Sequence, residues 1–335
     1  MAPSALAWPA VLDLLADGQW HSGIALGEAL TVSRAAIWKQ VRALRSLGLE
    51  VIAERRRGYR LERPLDLLNP ARIRAELAPA TRFGLQLLEV LLVTASTNAS
   101  LAADPAPPLG QLRAVVAEYQ TGGRGRRGRR WLSPPGHGVC MSVAWSFESA
   151  PRDLPALSLV AGVAVIGALK QLGVSGVQLK WPNDVMAAGG KVGGILVEVS
   201  GESGGPLRVV IGIGLNVRPV PGIAAALREE GGHIPAVALD DLLAGARLDR
   251  SVLVGVLINR LHESLLAFSA QGWPDVLPVW RQNDYLMGRS VVVTRGAEAL
   301  SGIARGIADD GALLVEADGR IFPVVAGDVT LRAPL

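Results

Sequence analysis

The stretch Val115-Val116-Ala117-Glu118-Tyr119-Gln120-Thr121-Gly122-Gly123-Arg124-Gly125-Arg126-Arg127-Gly128-Arg129-Arg130-Trp131 joins a strand-like beginning to a loop of glycines and arginines. The run 115–118, with two valines and an alanine before Glu118, is typical of a β-strand. Glycines permit close backbone approach and positive φ, and guanidinium groups bind phosphate or carboxylate through paired hydrogen bonds. The stretch therefore predicts a mobile anion-binding loop between two strands of an ordered domain.

Two other interpretations of this loop stay open. Between Gly122 and Arg130 stand five arginines and no acidic residue, and such a segment needs either an anionic partner or extensive hydration. Taken alone, the segment is also typical of a solvated loop without a ligand, or of an Arg/Gly tract that binds nucleic acid. Its position inside an ordered domain favours a small anionic ligand.

A second motif, Lys180-Trp181-Pro182-Asn183-Asp184, precedes the run Lys191-Val192-Gly193-Gly194-Ile195-Leu196-Val197-Glu198. If short strands on either side of Ala187 to Gly190 form a hairpin, Lys191 and Asp184 come close together near the Arg-rich loop. This arrangement predicts a catalytic pair. The alternative is a surface ion pair of little consequence.

The run Gly212-Ile213-Gly214-Leu215-Asn216-Val217 resembles the start of a dinucleotide-binding fingerprint, but Val217 stands where the third glycine is required. We therefore reject a Rossmann interpretation. The chain also has no Gly-x-x-x-x-Gly-Lys-Ser/Thr loop, and its four histidines are dispersed, which argues against a P-loop ATPase and against a metal site. Phosphate binding, if present, must use the Arg-rich loop.

The N-terminal residues read as three helices followed by a hairpin. Apolar spacing predicts a helix over Leu6 to Leu15, Ser22 is a good cap for a second helix through Leu30, and a third helix begins at Ser33. Two short strands, Leu49 to Ala53 and Tyr59 to Leu61, follow the third helix. This order is typical of a winged helix-turn-helix domain, and Pro64 to Pro70 reads as the linker that follows it.

Positive charge is concentrated in this N-terminal segment. Thr31 to Arg63 contains nine basic residues and three glutamates. The third helix is expected to face inward with Ile37, Val41 and Leu44 and to place its basic face in the major groove, while the wing contacts the backbone or the minor groove. The alternative is a protein-docking module. The expected DNA-binding residues are Ser33, Arg34, Trp38, Lys39, Arg42, Arg56 and Arg57.

The rest of the chain divides into two parts. Strand-like and helical runs alternate from about Ala71 to Asp284, which predicts an α/β or α+β domain with a central mixed sheet. Short strands with turns at Asp309-Asp310-Gly311 and Asp318-Gly319 predict a small β-barrel from Met287 onward. We place the domains at residues 1–65, 66–284 and 285–335.

Bulk properties agree with a multi-domain soluble protein. The chain has 335 residues, of which 50% are hydrophobic, and a formal net charge of +4. No long uninterrupted apolar run and no export signal are recognisable, so we expect a cytoplasmic protein without a membrane partner. The single cysteine, Cys140, lies in a strand-like run and is expected to be buried and inert.

Together these motifs resemble those of the bifunctional bacterial biotin protein ligases that also repress biotin operons. The resemblance rests on Gln120 with the Gly123 to Arg129 run, on the Lys180 to Asp184 motif, on 191–196 and on 212–217. It covers nearly the whole chain: Ser33-Arg34-Ala35-Ala36-Ile37 is similar to the family's recognition helix and Gly302 to Leu331 to its small C-terminal SH3-like barrel. The family also implies a central domain of the biotin/lipoate ligase type.

The resemblance implies two activities. The first is activation of biotin with Mg²⁺-bound ATP to biotinyl-5′-AMP, followed by transfer to a lysine of a biotin carboxyl carrier protein. The second is repression of biotin biosynthesis by a homodimer on operator DNA, with biotinyl-5′-AMP as corepressor. Lys191, Asp184 and Arg126 are the implied catalytic residues. The implied biotin and adenylate contacts are Ser96, Thr97, Asn98, Gln120, Gly123, Arg124, Gly125, Arg126, Arg127, Trp131, Lys180, Asn183, Lys191, Gly193, Gly194 and Asn216.

Two other functions remain as alternatives. One is a biotin-sensing transcription factor without ligase activity, and the other is a lipoate-type acyl transferase with the same central fold. Lys191 and the Arg-rich loop favour an enzyme over a sensor, and Gln120 with the Gly/Arg run favours biotin over lipoate. The chain departs from the family after Asn216, where the stretch expected to cover the adenylate, 218–234, has no aromatic residue.

Overall fold

The computed structural model describes residues 8–201, 205–220, 234–295 and 298–331. The start of the predicted first helix and residues 221–233 of the predicted adenylate-covering stretch lie outside these ranges. The described residues form three sheets with their helices: a two-stranded, a seven-stranded and a five-stranded sheet, in that order along the chain.

The N-terminal part is a three-helix unit with a hairpin. Helices α1 (Trp8–Leu15), α2 (Gly23–Leu30) and α3 (Arg34–Ser46) precede the antiparallel strands β1 (Val51–Glu54) and β2 (Gly58–Leu61). The hydroxyls of Ser22 and Ser33 accept backbone N–H groups of the first turns of α2 and α3 and so satisfy donors that a helix start leaves unpaired. The predicted helix starts at both serines are confirmed.

The core of this unit explains its packing. Ile37, Val41 and Leu44 of α3 are fully or almost fully buried, together with apolar residues of α1 and α2. The hairpin is anchored to the helices because His21 and Tyr59 exchange backbone hydrogen bonds of 2.9 Å. Gly58 allows this approach: a Cβ there would lie 2.0 Å from the His21 carbonyl oxygen.

The central part begins with two short helices that the sequence did not predict, α4 (Pro70–Ala75) and α5 (Pro79–Gly84), each with a proline at its start. Its seven-stranded sheet has the order β3-β4-β5-β9-β8-β7-β6, parallel only between β3 and β4. The strands are β3 (Leu85–Thr94), β4 (Leu112–Gln120), β5 (Gly138–Phe147), β6 (Gln178–Lys180), β7 (Asp184–Ala187), β8 (Gly190–Gly201) and β9 (Leu207–Asn216).

The two faces of β5 are both covered, which explains its continuous apolar run. Met141, Val143 and Trp145 belong to the main core with helices α7 (Leu157–Gln171) and α8 (Arg250–Gln271), whereas Ala144 packs with Leu101 of α6 (Thr97–Ala103) on the other face. The predicted helices over 157–172 and 250–269 are therefore core helices of the central sheet.

Two segments, Leu154–Gln171 and Arg250–Gln271, are long and apolar enough to cross a membrane by length and composition alone. In each, 61% of the most apolar window is buried inside the protein, and both pack in the main core. Their apolar character is explained by that packing.

The C-terminal part is a five-stranded antiparallel sheet of order β13-β12-β11-β10-β14. It follows the short helix α9 (Val276–Gln282), and its strands are β10 (Ser290–Arg295), β11 (Glu298–Ile307), β12 (Leu313–Ala317), β13 (Arg320–Val324) and β14 (Asp328–Leu331). Gly311 and Gly319, in the two predicted turns, have positive φ. Trp181 and Trp273 donate indole hydrogen bonds of 3.0 Å to backbone carbonyls beside the first turn, at Gly311 and Asp309, and so join this sheet to the central part.

A buried ion pair fixes the segment that connects the N-terminal and central parts. Arg250 and Glu118 are almost completely buried, and the guanidinium donates hydrogen bonds of 2.8 and 3.0 Å to the two carboxylate oxygens. Arg250 also donates to the Asp66 carbonyl, and Glu118 accepts the Leu68 N–H. The connecting segment is thus held against β4 and α8.

The N-terminal unit also touches the central sheet directly. The rings of Trp8 in α1 and Tyr119 in β4 meet edge to face with centroids 5.5 Å apart, and Leu65 of the connecting segment packs with the same cluster. The first helix therefore rests on the strand that leads into the Arg-rich loop.

Candidate active site

A cavity of about 340 Å³ lies where β4, β5, β8 and β9 meet the Arg-rich loop and the C-terminal sheet. It brings together residues that lie far apart in the sequence. The predicted residues that line it are Ser96, Thr97, Asn98, Gln120, Arg124, Gly125, Arg126, Trp131, Lys180, Asn183, Asp184, Lys191, Gly194 and Asn216. Gly123, Arg127 and Gly193 were also predicted as contacts but do not line it.

One end of the cavity has a buried polar floor. The Gln120 side-chain oxygen accepts the Thr97 backbone N–H at 2.8 Å, and the Ser142 hydroxyl donates to Asn98 Oδ1 at 2.5 Å. Asn98 Nδ2 donates to Glu198 at 2.7 Å. Sequence reasoning found Thr97, Asn98 and Gln120 but gave no role to Ser142, or to Glu198 at the end of the run that begins at Lys191, because their contacts with Asn98 join distant segments.

The glycines of β9 give this cavity its shape. Gly212 and Gly214 are two positions apart in a strand and so face the same side. A Cβ at Gly212 would lie 2.3 Å from Asn98 Oδ1, and a Cβ at Gly214 would lie 2.4 Å from the Trp131 indole. The Gly-x-Gly pattern therefore serves close packing under a pocket, which agrees with rejecting a dinucleotide-binding turn.

The Arg-rich loop folds back on itself. Gly125 N–H donates to the Arg129 carbonyl at 2.7 Å and Trp131 N–H to the Gly123 carbonyl at 2.9 Å, around a short 3₁₀ turn over Arg126–Gly128. Trp131, at the end of the loop, lies beside Lys191, whose ammonium is 5.9 Å from the ring centroid. Whether the loop is mobile, as the sequence predicts, stays a prediction.

The arginines of this loop have different partners. Arg124 pairs with Glu198 at 3.2 Å, and Arg126 donates to Asn183 Oδ1 at 3.4 Å. Burial lowers the pKa of Arg126, and the nearby charge of Asp328 acts against that shift. Arg126 therefore presents a half-buried guanidinium to the cavity without a carboxylate directly bonded to it in the described part of the chain.

Two lysines flank one carboxylate at the other end of the cavity. The hairpin of β7 and β8 places Lys191 Nζ 2.5 Å from Asp184 Oδ1, while Lys180 Nζ lies 3.6 Å from Asp184 Oδ2. The predicted proximity of Lys191 and Asp184 is therefore present, and the pair lines a pocket. Lys180 is the buried member, with 6% of its side chain exposed.

The pKa values reflect this arrangement. Burial alone would raise the pKa of Asp184, but the charges of Lys191 and Lys180 outweigh it and hold that pKa below its usual value. Burial lowers the pKa of Lys180, in spite of its attraction to Asp184. Asp184 is thus ionised at neutral pH and has a cation beside each oxygen.

Other groups near the cavity complete the geometry. Asn216 Nδ2 donates to the Lys191 carbonyl at 3.1 Å, which fixes the backbone of the lysine rather than its ammonium. Cys140 is buried beside Gln120 and Trp131, and burial raises the pKa of its thiol to about 11. Among the described residues, no group of three or more His, Cys, Asp or Glu side chains is placed to hold a metal ion.

The predicted DNA-binding residues lie on a separate surface. Arg34, Trp38, Lys39 and Arg42 are exposed on α3, and the Arg42 guanidinium lies 4.8 Å from the Trp38 ring centroid. Ser33 uses its side chain to cap α3.

At the hairpin tip Arg56 has a positive φ, and Arg57 stacks on Trp20 and pairs with Glu54. The basic face expected from the sequence is thus present on α3 and extends to the tip. The exposed Trp38 adds an apolar group to it.

Comparison with known proteins matches three families to the three parts. The Biotin/lipoate A/B protein ligase family matches residues 90–216, an HTH domain matches residues 10–60, and the Biotin protein ligase C terminal domain matches residues 286–332. The first match contains most of the cavity residues, and the third contains the strands that close one side of it.

Curated relatives and solved structures agree with these matches. The chain is 39% identical to the bifunctional ligase/repressor BirA of Salmonella typhimurium, over 96% of this chain and 97% of that protein, and 38% identical to that of Escherichia coli, with 96% of each covered. A biotin protein ligase from Aquifex aeolicus, solved in complex with biotin and ATP, is similar with a TM-score of 0.59 and 27% identity, over 75% of this chain and 99% of that one.

Proposed function

The chain belongs to the family of bifunctional biotin ligases and repressors, and we propose that it activates biotin with ATP for transfer to an acceptor lysine. The observation that carries the proposal is the cavity, in which a buried polar floor at Thr97 and Asn98 continues into a cationic region at Arg126 and Lys191. Such a cavity suits an amphipathic acid that must meet a polyphosphate.

Lys191 and Arg126 account for the first half-reaction, the adenylation of biotin. The carboxylate of biotin attacks the α-phosphorus of ATP, and pyrophosphate leaves, so two anions must approach each other. Lys191 and Arg126 neutralise this charge and position both reactants. Lys191 is released for this role when a substrate anion competes with Asp184 for its ammonium. Magnesium would arrive already bound to the phosphates of ATP.

Asp184 accounts for the second half-reaction. The amine of the acceptor lysine attacks the carbonyl carbon of the mixed anhydride, AMP leaves, and the amine loses a proton. Asp184, kept ionised by Lys180 and Lys191, accepts a hydrogen bond from the amine and orients it, and the proton passes to solvent because the lowered pKa of Asp184 makes it a weak base. Closure of the Arg-rich loop shields the anhydride from water.

The test mixes the purified protein with biotin, Mg-ATP and a biotin carboxyl carrier domain, with lipoate as a parallel acid. We expect biotin-dependent pyrophosphate release and an acceptor heavier by one biotinyl group. Lys191→Ala should slow adenylation about a hundredfold or more, as loss of a charge-stabilising donor does. Lys170→Ala, an exposed position at the end of α7, is the matched control.

The same experiment separates the alternatives. Biotin binding without pyrophosphate release would make the protein a sensor, and turnover of lipoate in place of biotin would make it a lipoate-type transferase. Wild-type adenylation by Lys191→Ala would remove Lys191 from the mechanism.

We also propose that the N-terminal unit binds operator DNA as part of a homodimer, with biotinyl-5′-AMP as corepressor. The exposed basic face of α3 and the hairpin tip support this proposal. Removing a lysine that contacts a DNA phosphate reduces the steepness of the fall of log affinity with log salt concentration by about one. Lys39→Ala should therefore make this salt dependence less steep, whereas Lys170→Ala should leave it unchanged. Equal, ligand-independent affinity for random DNA would contradict the repressor role.

The acceptor, the location, the domain limits and the oligomeric state belong to the same proposed function. We take the acceptor to be a biotin carboxyl carrier protein, the location to be the cytoplasm and the domains to divide near residues 65 and 284. Size measurement with and without biotinyl-5′-AMP tests the homodimer: we expect the larger species only with the ligand.

A further inference from the structure

One carboxylate of the C-terminal sheet holds two arginines of the loop over the cavity. Arg127 Nη1 lies 3.1 Å from Asp328 Oδ2, and Arg129 Nη2 lies 3.1 Å from Asp328 Oδ1. The partners are about 200 positions apart in the sequence, and each oxygen serves one guanidinium. Two charge-assisted bonds to one carboxylate fix geometry more firmly than a single pair does.

Asp328 is itself well anchored. It begins β14, pairs with Thr294 of β10, and has 27% of its side chain exposed. Both residues line the cavity, together with Val329 and Thr330. The C-terminal sheet thus reaches the site through a paired strand, which is a rigid platform for a contact.

Contacts from outside the loop help to hold its folded form at this point. Arg127 has a φ of 55°, a conformation that costs a non-glycine residue energy and persists only when surrounding contacts hold it. Among the described residues that line the cavity, the carboxylates are Asp184 and Asp328. Asp184 is engaged by its two lysines and Glu198 pairs with Arg124, while Asp328 is the carboxylate bonded to Arg127 and Arg129.

The contact also leaves the cavity-facing guanidinium available. Arg127 does not line the cavity, whereas Arg126 does and lies 3.4 Å from Asn183 Oδ1. Asp328 therefore holds the loop on its outer side through Arg127 and on its cavity side through Arg129, while Arg126 keeps no carboxylate directly bonded to it in the described part of the chain.

We infer that Asp328 is a positioning residue: it clamps the Arg-rich loop in its folded form and thereby sets the affinity of the site for the nucleotide. The inference rests on the proposed function, since the nucleotide is the ATP of the adenylation step. It makes the C-terminal sheet a working part of the site.

The test compares Asp328→Asn with Asp309→Asn in the full-length protein. Asp309 pairs with Arg281 at 3.0 Å on the same C-terminal part, but it does not line the cavity. Partly exposed ion pairs contribute a fewfold each, so loss of two should raise the KM for Mg-ATP about tenfold. The kcat should change much less, and Asp309→Asn should match the wild type. Asp328→Glu, which keeps the charge, should recover part of the ATP affinity.

A second readout needs no catalysis. Trypsin cleaves after arginine, and mass analysis identifies cuts between Arg124 and Arg130. Without ligand, these cuts should form several-fold faster in Asp328→Asn than in the wild type and in Asp309→Asn. Unchanged cleavage with unchanged KM would overturn the inference, and a lower KM for ATP would make Asp328 a competitor of phosphate. If the wild type releases no biotin-dependent pyrophosphate, the proposed function fails, and the trypsin result still decides whether Asp328 clamps the loop.

Discussion

Replacing Glu118 by Gln tests how the connecting segment is held to the central sheet. The carboxylate accepts four hydrogen bonds: two from Arg250, one from Leu68 N–H and one from Gly136 N–H. Each oxygen has two of these donors. A glutamine of nearly the same shape must point its NH₂ group at two of them, so the change removes the charge and also sets donors against donors.

The magnitude follows from burial. Arg250 is 0% exposed and Glu118 is 1% exposed, and breaking a buried pair by removing one charge costs about 3–5 kcal/mol. The whole stability of a domain is about 5–15 kcal/mol, so the variant should fold but with a much smaller margin. Glu263→Gln breaks the surface pair with Arg260, whose partners are 42% and 56% exposed, and should cost less than about 1 kcal/mol.

The assay is urea unfolding followed by far-ultraviolet circular dichroism. Because a chain of several parts need not unfold in one step, the transition compared is the one that biotin shifts to higher urea. The double variant Glu118→Met with Arg250→Met should cost less than the sum of the two single changes, since neither charge is then left unpaired. A loss below about 1 kcal/mol for Glu118→Gln, or strict additivity in the double variant, would refute the reasoning.

Three further predictions address the site. Gly214→Ala places a Cβ 2.4 Å from the Trp131 indole, so the ring must shift and biotin affinity should fall at least tenfold in calorimetry; Gly167→Ala on α7, whose Cβ meets nothing closer than 3.8 Å, should bind biotin normally. Cys140, with a pKa raised to about 11, should resist alkylation at pH 8 in the folded protein and react at once in guanidinium, as followed by mass; rapid labelling of the folded form would contradict its burial. Because the pKa of Asp184 is lower in the folded than in the unfolded protein, its charge stabilises the fold at every pH above the unfolded-state pKa, near 3.8. This contribution is lost as the pH falls through the lower pKa of the folded state. The stability difference between the wild type and Asp184→Asn should therefore be constant from pH 7 to about pH 5 and shrink below pH 4; a difference that grows in acid would reverse the assigned sign.

Local motifs predicted much of this molecule. Ser22 and Ser33 marked the helix starts because capping is a contact within three residues, and Lys191 was placed beside Asp184 because a hairpin connects them. The contacts that were missed join distant segments. Nothing near Asp328 or Ser142 announces that they meet Arg127 and Asn98, since those contacts depend on how strands and sheets are arranged in space.

The glycines of β9 are an intermediate case. Their spacing was visible and a dinucleotide turn was correctly rejected, but their purpose was not visible. The reason lies in Asn98 and Trp131, which approach Gly212 and Gly214 from other parts of the chain.

Three successive residues at the end of β4 have a practical consequence for protein engineering. Glu118 fastens the connecting segment, Tyr119 meets Trp8, and Gln120 supports the pocket floor. A shortened ligase that starts after Leu65 would leave Tyr119 without its aromatic neighbour, one residue from the substrate pocket. Removing or exchanging the N-terminal helices therefore also changes the surroundings of the substrate pocket. A shortened ligase should be redesigned at Tyr119.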